Sequence, residues 1–265
     1  MTGLPALLAA LEPVEGGWRG NVPDNWLQGR TAYGGLSTAL ALYAAKASDT
    51  DLPPLRSATV SFIGPLAGDV RVGATRLRRG RNAAFIQADV ESDAGLSLRA
   101  VFVFMRDQAS TIDHAVGQAP DFARPGPDDR VYSGKSQGPG PGFLTNFEFV
   151  DRRTPGPETE THAAEWLRWV RIKDRAGLDA EVELALIADC LPPAALSLSR
   201  DFVPLSSLTW ILNLLGPAPR TEDGWWLLRA RTDYARAGSS SQDMAIWSAD
   251  GTPVAQQMQS VAIFG

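Results

Sequence analysis

The chain has 265 residues, of which 44% are hydrophobic, and a formal net charge of −5. That is enough material for one large domain or two compact ones, and the acidic balance argues against a nucleic-acid binder, which usually carries a basic face. Cys190 is the only cysteine, which excludes an intrachain disulfide and a cysteine-based metal cluster.

In chain order, the N-terminal MTGLPALLAALEPVEGGW has no basic flank, and its apolar run is too short for a signal peptide or a membrane span. The expectation is a soluble protein of the reducing cytoplasm. Residues 33–47 (YGGLSTALALYAAKA) are apolar nearly all round, the pattern of a buried helix. A strand-like run, SATVSFIGPLAGDV, follows and is interrupted at Gly64-Pro65. Ile86, Ala88 and Val90 alternate with Gln87, Asp89 and Glu91, as in a half-buried strand, and a turn at 93–95 leads into the strand SLRAVFVF. Residues 108–142 are rich in Pro, Gly and Asp without periodicity and read as a linker. The expected organisation is therefore an N-terminal unit over 1–107, a linker over 108–142 and a C-terminal unit over 143–265.

The second unit repeats the order of the first. Residues 179–191 (DAEVELALIADCL) predict a helix with Asp179 as N-cap, acidic residues in its first turn and Pro192-Pro193 after it. SLTWILNLLGP again ends in Gly-Pro, at Gly216-Pro217, and DMAIWSADGTPVAQQMQSVAIF reads as strand, Asp-Gly turn, strand. A helix followed by an antiparallel meander, twice over, indicates an α+β fold.

If the units are copies, the informative positions are those apolar in one and polar in the other. The first helix has no acid between Gln28 and Lys46, whereas the second carries Asp189 within an apolar run, at helical spacing from Val182, Ala185 and Leu186. A carboxylate there needs hydrogen bonds or a pocket, although capping of the helix end would explain it as well. Counted from Gly95 and Gly251, Val101 and Val103 correspond to Gln257 and Gln259. Both glutamines share a face with Ala255, Val261 and Ile263, and spacing does not choose between them. Gly34-Gly35 opens the first helix, where free amides attract negative charge and glycine admits close approach. Arg76, Arg78, Arg79 and Arg81 concentrate positive charge. A solvated hairpin is the plainer reading of this run, with docking of phosphates the functional one.

The segment Arg30-Thr31-Ala32-Tyr33-Gly34-Gly35 with LSTALALYAAKA, the stretch SATVSFIGPLAGDVRVGATRLRRGRN and the terminal WSADGTPVAQQMQ together resemble the bacterial acyl-CoA thioesterase II family. The resemblance spans about 30–107 and 180–265. It implies a tandem hotdog fold, with two antiparallel sheets each wrapped around a central helix. It also implies hydrolysis of acyl-CoA without metal or cofactor. In its site pattern, Asp189 matches the acid on the second helix, and Ser207 stands where the family has threonine. Gln259 matches the glutamine on the last strand, which decides between it and Gln257. Ser206 and Thr209 are further hydroxyls on the same strand as Ser207.

In this reading Asp189 activates a water with help from Ser207 and Gln259, and the Gly34-Gly35 amides stabilise the oxyanion. A non-catalytic acyl-CoA or hydrophobic-ligand binder is the alternative. A hotdog hydratase ranks below it, because His114 and His162, the only histidines, lie in polar, loop-like stretches. A serine hydrolase lacks its G-x-S-x-G elbow. Trp166, Trp169, Trp210, Trp225, Trp226 and Trp247 could shape an acyl pocket or fill the core. Two hotdogs in one chain mimic a hotdog dimer, and further homo-oligomerisation is left open.

Overall fold

The computed structural model describes residues 1–120, 122–134, 140–153, 164–199, 203–216 and 219–264. His162 and Pro217, both singled out in the sequence, lie outside them, as do residues 135–139 of the expected linker.

The first unit runs α1 (Leu4–Ala9), β1 (Glu12–Val14), β2 (Gly17–Val22), a small ribbon of β3 (Leu27–Gln28) and β4 (Thr31–Ala32), and α2 (Gly34–Ala47). It continues with β5 (Leu55–Phe62), β6 (Gly68–Arg79), β7 (Ala83–Ser92) and β8 (Gly95–Met105). The second unit runs β9 (Phe147–Arg153), β10 (Glu165–Ile172), α3 (Ala180–Ala188), β11 (Leu205–Leu214), β12 (Trp226–Arg236), β13 (Ser239–Trp247) and β14 (Pro253–Ile263).

The sheet order is β1-β2-β6-β7-β8-β5-β11-β14-β13-β12-β10-β9. Read from either edge to the middle, it passes through equivalent strands: β1 answers to β9, β2 to β10, β6 to β12, β7 to β13, β8 to β14 and β5 to β11. The topology thus carries the duplication that sequence identity between the halves barely shows.

One expectation is corrected here. The halves do not form two separate sheets; among the described residues they share one sheet of 12 strands. The join is an antiparallel pairing of β5 with β11, in which Trp210 faces Val60 and Ile211 faces Thr59. An edge strand left open exposes a row of unpaired N–H and C=O groups, and each half supplies the other with the partner it lacks.

Both helices lie against the concave face of this sheet and against each other. Leu36, Ala39, Leu40, Ala41 and Leu42 of α2, and Leu184, Leu186, Ile187 and Ala188 of α3, are fully enclosed, as an all-round apolar helix requires. Small residues permit the close approach. A Cβ on Gly35 would stand 2.3 Å from the Leu186 carbonyl oxygen, so any side chain there would push the helices apart. The Tyr33 hydroxyl donates to that same oxygen at 2.6 Å.

Residues 117–120 and 122–134 of the expected linker are packed against the second unit. The Trp247 indole donates to the Gly117 carbonyl at 2.7 Å, Trp169 donates to the Ala123 carbonyl at 3.1 Å, and Arg152 pairs with Asp129 at 2.6 Å. Beneath this segment Trp169, Trp225 and Trp247 form a second apolar cluster on the outer face of the sheet. These three tryptophans therefore do not line the space between sheet and helices. Trp210 and Trp226 belong to the main core, with Trp166 packed against it. No helix among the described residues is long and apolar enough to cross a membrane.

Candidate active site

The site is built where the start of α2 lies beside the end of α3. Helix α3 starts as its sequence dictates, with the Asp179 carboxylate accepting from the N–H groups of Glu181 and Val182. It stops sooner than the apolar run suggests. Its last residue is Ala188, and Asp189 is the C-cap with φ −97° and ψ 10°. Pro192 and Pro193 bar its continuation beyond Cys190, because a proline disfavours the helical conformation at the residue before it. The Cys190 N–H closes the final tight turn on the Ile187 carbonyl at 2.9 Å.

Because α2 and α3 run antiparallel, this C-terminal corner meets the N-terminus of α2. A Cβ on Gly34 would lie 2.6 Å from Asp189 Oδ2. The sequence leaves open whether Gly34-Gly35 and Asp189 share a site; the structure places them in contact. The Asp189 carboxylate also accepts from Gln259 Nε2 at 2.8 Å. Burial pushes the Asp189 carboxyl up from 3.8 to about 7, against the Gln259 amide and the Gly35 N–H, which both favour its ionised form. Among the described residues no cation pairs with it. The neighbouring Cys190 thiol is held well above its ordinary range, chiefly by burial.

Gln259 sits on the concave face of β14, opposite Trp210 on β11 and opposite Gln242 on β13. Gln257, on the same face, points to a different partner and accepts the Trp210 indole N–H at 2.8 Å. Ser207 reaches this face through a β-bulge. Ser207 pairs with the buried Val261 while Thr209 pairs with Ser260, leaving Leu208 as the extra residue. An extra residue inverts the alternation of a strand, so Ser207 faces inward and Thr209 is exposed, as is Ser206. Among the described residues the Ser207 hydroxyl makes no hydrogen bond to Asp189.

Two expectations shift. The half-one counterparts of the glutamines are not Val101 and Val103, which lie on the outer face between the buried Ala100, Phe102 and Phe104. The two hairpin turns differ in length, since Ser92 pairs with Gly95 but Trp247 pairs with Pro253. Counting from the turn glycines therefore slips by one residue and crosses to the other face. Aligned on the ends of β5 and β11, Phe102 answers to Gln259 and Ile86 to Gln242. The arginine run lies away from the site. Arg76 and Arg79 pair with Asp49 just past the other end of α2, roughly 20 Å away at the rise of a helix of that length. Arg78 and Arg81 belong to the same exposed hairpin.

Sequence reasoning missed Gln242. It is buried, and its Nε2 donates to Gln259 Oε1 while its own Oε1 accepts from the Ala194 N–H at 3.0 Å. The alternation Ser240, Gln242, Met244 along an inward strand face could have flagged it. Among the described residues no cluster of His, Cys, Asp and Glu has the make-up of a metal site, and His114 is exposed in a loop.

A continuous antiparallel sheet around two central helices is the architecture of a hotdog-fold protein. The solved structures agree on the fold. A hotdog-fold protein of unknown function from Alicyclobacillus acidocaldarius superposes with TM-score 0.85 at 21% identity, covering 100% of this chain and 99% of its own. The tesB protein of Mycobacterium avium subs paratuberculosis gives TM-score 0.76 at 17% identity, covering 99% and 100%. Acyl-CoA thioesterase II TesB2 from Mycobacterium marinum gives 0.72 at 18%, covering 96% and 95%. No curated protein matches the sequence. Residues 22–105 match the acyl-CoA thioesterase N-terminal domain and residues 117–263 its C-terminal domain. The chain belongs to the acyl-CoA thioesterase family.

Proposed function

We propose that this protein hydrolyses an acyl-CoA thioester to the free acid and CoA, with Asp189 as the general base. The observation that carries this reading is the Asp189 carboxylate itself. It is half-buried with no cation paired to it among the described residues, raised to about 7 by burial, and held at one oxygen by the Gln259 amide beside the glycine N-terminus of α2. A base poised near neutrality suits proton removal from water.

In the proposed reaction, a water hydrogen-bonded to Asp189 and the Ser207 hydroxyl attacks the thioester carbonyl and gives its proton to Asp189. The C–S bond then breaks, and the thiolate, a good leaving group, takes a proton back. The open N-terminus of α2 at Gly34 faces the developing oxyanion, where helix amides stabilise negative charge without reorganisation. Glycine at 34 lets the Asp189 carboxylate approach the α2 backbone, since a Cβ there would stand 2.6 Å from its Oδ2. The Gly35 N–H, directed at Asp189, keeps part of the base ionised at neutral pH. CoA phosphates on Arg76, Arg78, Arg79 and Arg81 remain the weaker part of the proposal, given the distance of that hairpin. An acyl-CoA substrate and a lone reduced cysteine suit the cytoplasm.

The test is a free-thiol assay across short, medium and aromatic acyl-CoA substrates. Wild type should release CoA, with kcat/KM rising through about pH 7. Asp189→Asn should lose about three orders of magnitude in kcat and Gln259→Ala one to two, on the scale of a lost base and a lost positioning bond. Acyl-CoA binding without thiol release across the whole panel would make the protein a binder. Full activity in Asp189→Asn would remove Asp189 from the site.

A further inference from the structure

Gln259 serves Asp189 only if its amide is turned the right way. The two ends of a glutamine amide have nearly the same shape and opposite hydrogen-bonding character. With Nε2 toward Asp189 the ionised base is stabilised; with Oε1 toward it, two acceptors oppose each other and only the protonated acid is satisfied. Trp210, the neighbour on β11, spends its indole N–H on Gln257, so it does not hold Gln259.

The group that does is Gln242. Its Nε2 donates to Gln259 Oε1, which commits Gln259 Nε2 to Asp189. Gln242 is also an amide with two ends, so it needs a reference of its own. That reference is the Ala194 N–H, which donates to Gln242 Oε1 at 3.0 Å. A backbone N–H cannot reverse. It is fixed here by Pro193, with φ −51° and ψ 128°, at the entrance to a short 3-10 turn over Ala194–Leu198. The chain of bonds therefore starts at a backbone group five residues beyond Asp189 in sequence and returns to the Asp189 side chain. All its amide members are buried. In the first unit the answering positions are Phe102 and Ile86, with nothing to orient.

We infer that Gln242 is a positioning residue that sets the polarity of the Gln259 amide toward Asp189, with the Ala194 N–H as its fixed reference. The inference rests on the reading of Asp189 as the base, and the first readout below is independent of that reading.

The experiment follows the titration of the Asp189 side-chain carboxyl by carbon NMR in wild type, Gln242→Met and Ala194→Pro. Gln242→Met removes the orienting amide at similar volume. Ala194→Pro deletes the reference donor at the first position of the 3-10 turn, where proline is favoured, and the preceding residue is already extended. This second variant leaves the buried amides in place should Gln242→Met fail to fold. The Asp189 midpoint is expected to rise by about one pH unit in Gln242→Met and by less in Ala194→Pro, the scale of one hydrogen bond to an ionised group. In the thiol assay kcat should fall about tenfold with KM within about twofold. Gln242→Met should add nothing in a Gln259→Met background, because its effect passes through Gln259. An unmoved midpoint in both variants, or losses that simply add in the double variant, overturns the inference. If the midpoint moves while no substrate is turned over, the positioning stands and the thioesterase reading falls.

Discussion

The two ends of the helix pair are related by the duplication and have opposite electrostatic character. At one end, α2 begins and α3 finishes, and the Asp189 carboxylate stands against Gly34-Gly35 and Gln259, with no cation paired to it among the described residues. At the other, α3 begins and α2 finishes, and Lys46 reaches Asp179 at 2.7 Å and Glu181 at 2.6 Å. There Glu181 also accepts the Leu55 N–H at 2.8 Å, and its side chain is only 8% exposed. Every charge at that end has a partner, and the acids lie on the N-terminus of α3 where the helix dipole favours them. Asp189 has the reverse placement with respect to its own helix, whose C-terminus repels it, and the Gln259 amide and the start of α2 offset this only in part. An end that is fully compensated serves stability. An end with a partly compensated charge keeps a group whose ionisation can be used.

The largest effect expected from this contrast is in the pH dependence of stability. Asp189 has a folded value raised from 3.8 to about 7, so between these limits the folded state binds more proton than the unfolded one. Its favourable contribution is present below about pH 4 and is lost as pH rises toward 7. Asp189→Asn removes that dependence. Measured by urea denaturation, the variant should gain on wild type by a few kcal/mol between pH 4 and pH 8, at about 1.4 kcal/mol for each pH unit separating the folded and unfolded values. A constant difference between the two proteins across this range would mean that Asp189 is not desolvated, and the two helix ends would lose their contrast.

Lys46→Met should act in the opposite sense. It strands Glu181 with one backbone donor, and removal of one partner from an enclosed pair costs about 2–4 kcal/mol. The loss should shrink below about pH 4, where free carboxyls are protonated. Hydrolysis per folded molecule should stay within about twofold, because the cluster lies a helix length from Asp189. A large fall in kcat at unchanged KM would show that the ends communicate.

How legible this was from sequence follows the same division. Buried helices, Asp179 as cap and inward glutamines are short-range consequences of composition and period, and the structure has them. The extent of α3 was overread because its apolar run continues to Leu191, while the two prolines govern where the helical conformation stops. The partner of Gln259 was out of reach, since Gln242 is a neighbour only through strand register. Ser207 became an inward residue only through a bulge, which no periodicity announces. The join of β5 and β11 likewise depends on which edges find each other, a tertiary fact. The contact between Gly34 and Asp189 required knowing that the helices run antiparallel.

The smallest effect expected is at the cap of α3. Asp179→Ala removes the acceptor for the Glu181 and Val182 N–H groups and one of the two partners of Lys46. The cap is worth about 1 kcal/mol. The Lys46 pair adds little, because the Asp179 side chain is 46% exposed and Lys46 keeps Glu181. Asp179→Asn separates the two contributions, since an asparagine oxygen still caps while its charge is gone. If capping dominates, Asp179→Asn should recover most of the loss in thermal unfolding. If it recovers none, the charge at this end matters more than the cap. The paired end would then be as electrostatic a device as the Asp189 end, differing from it only in having its cation.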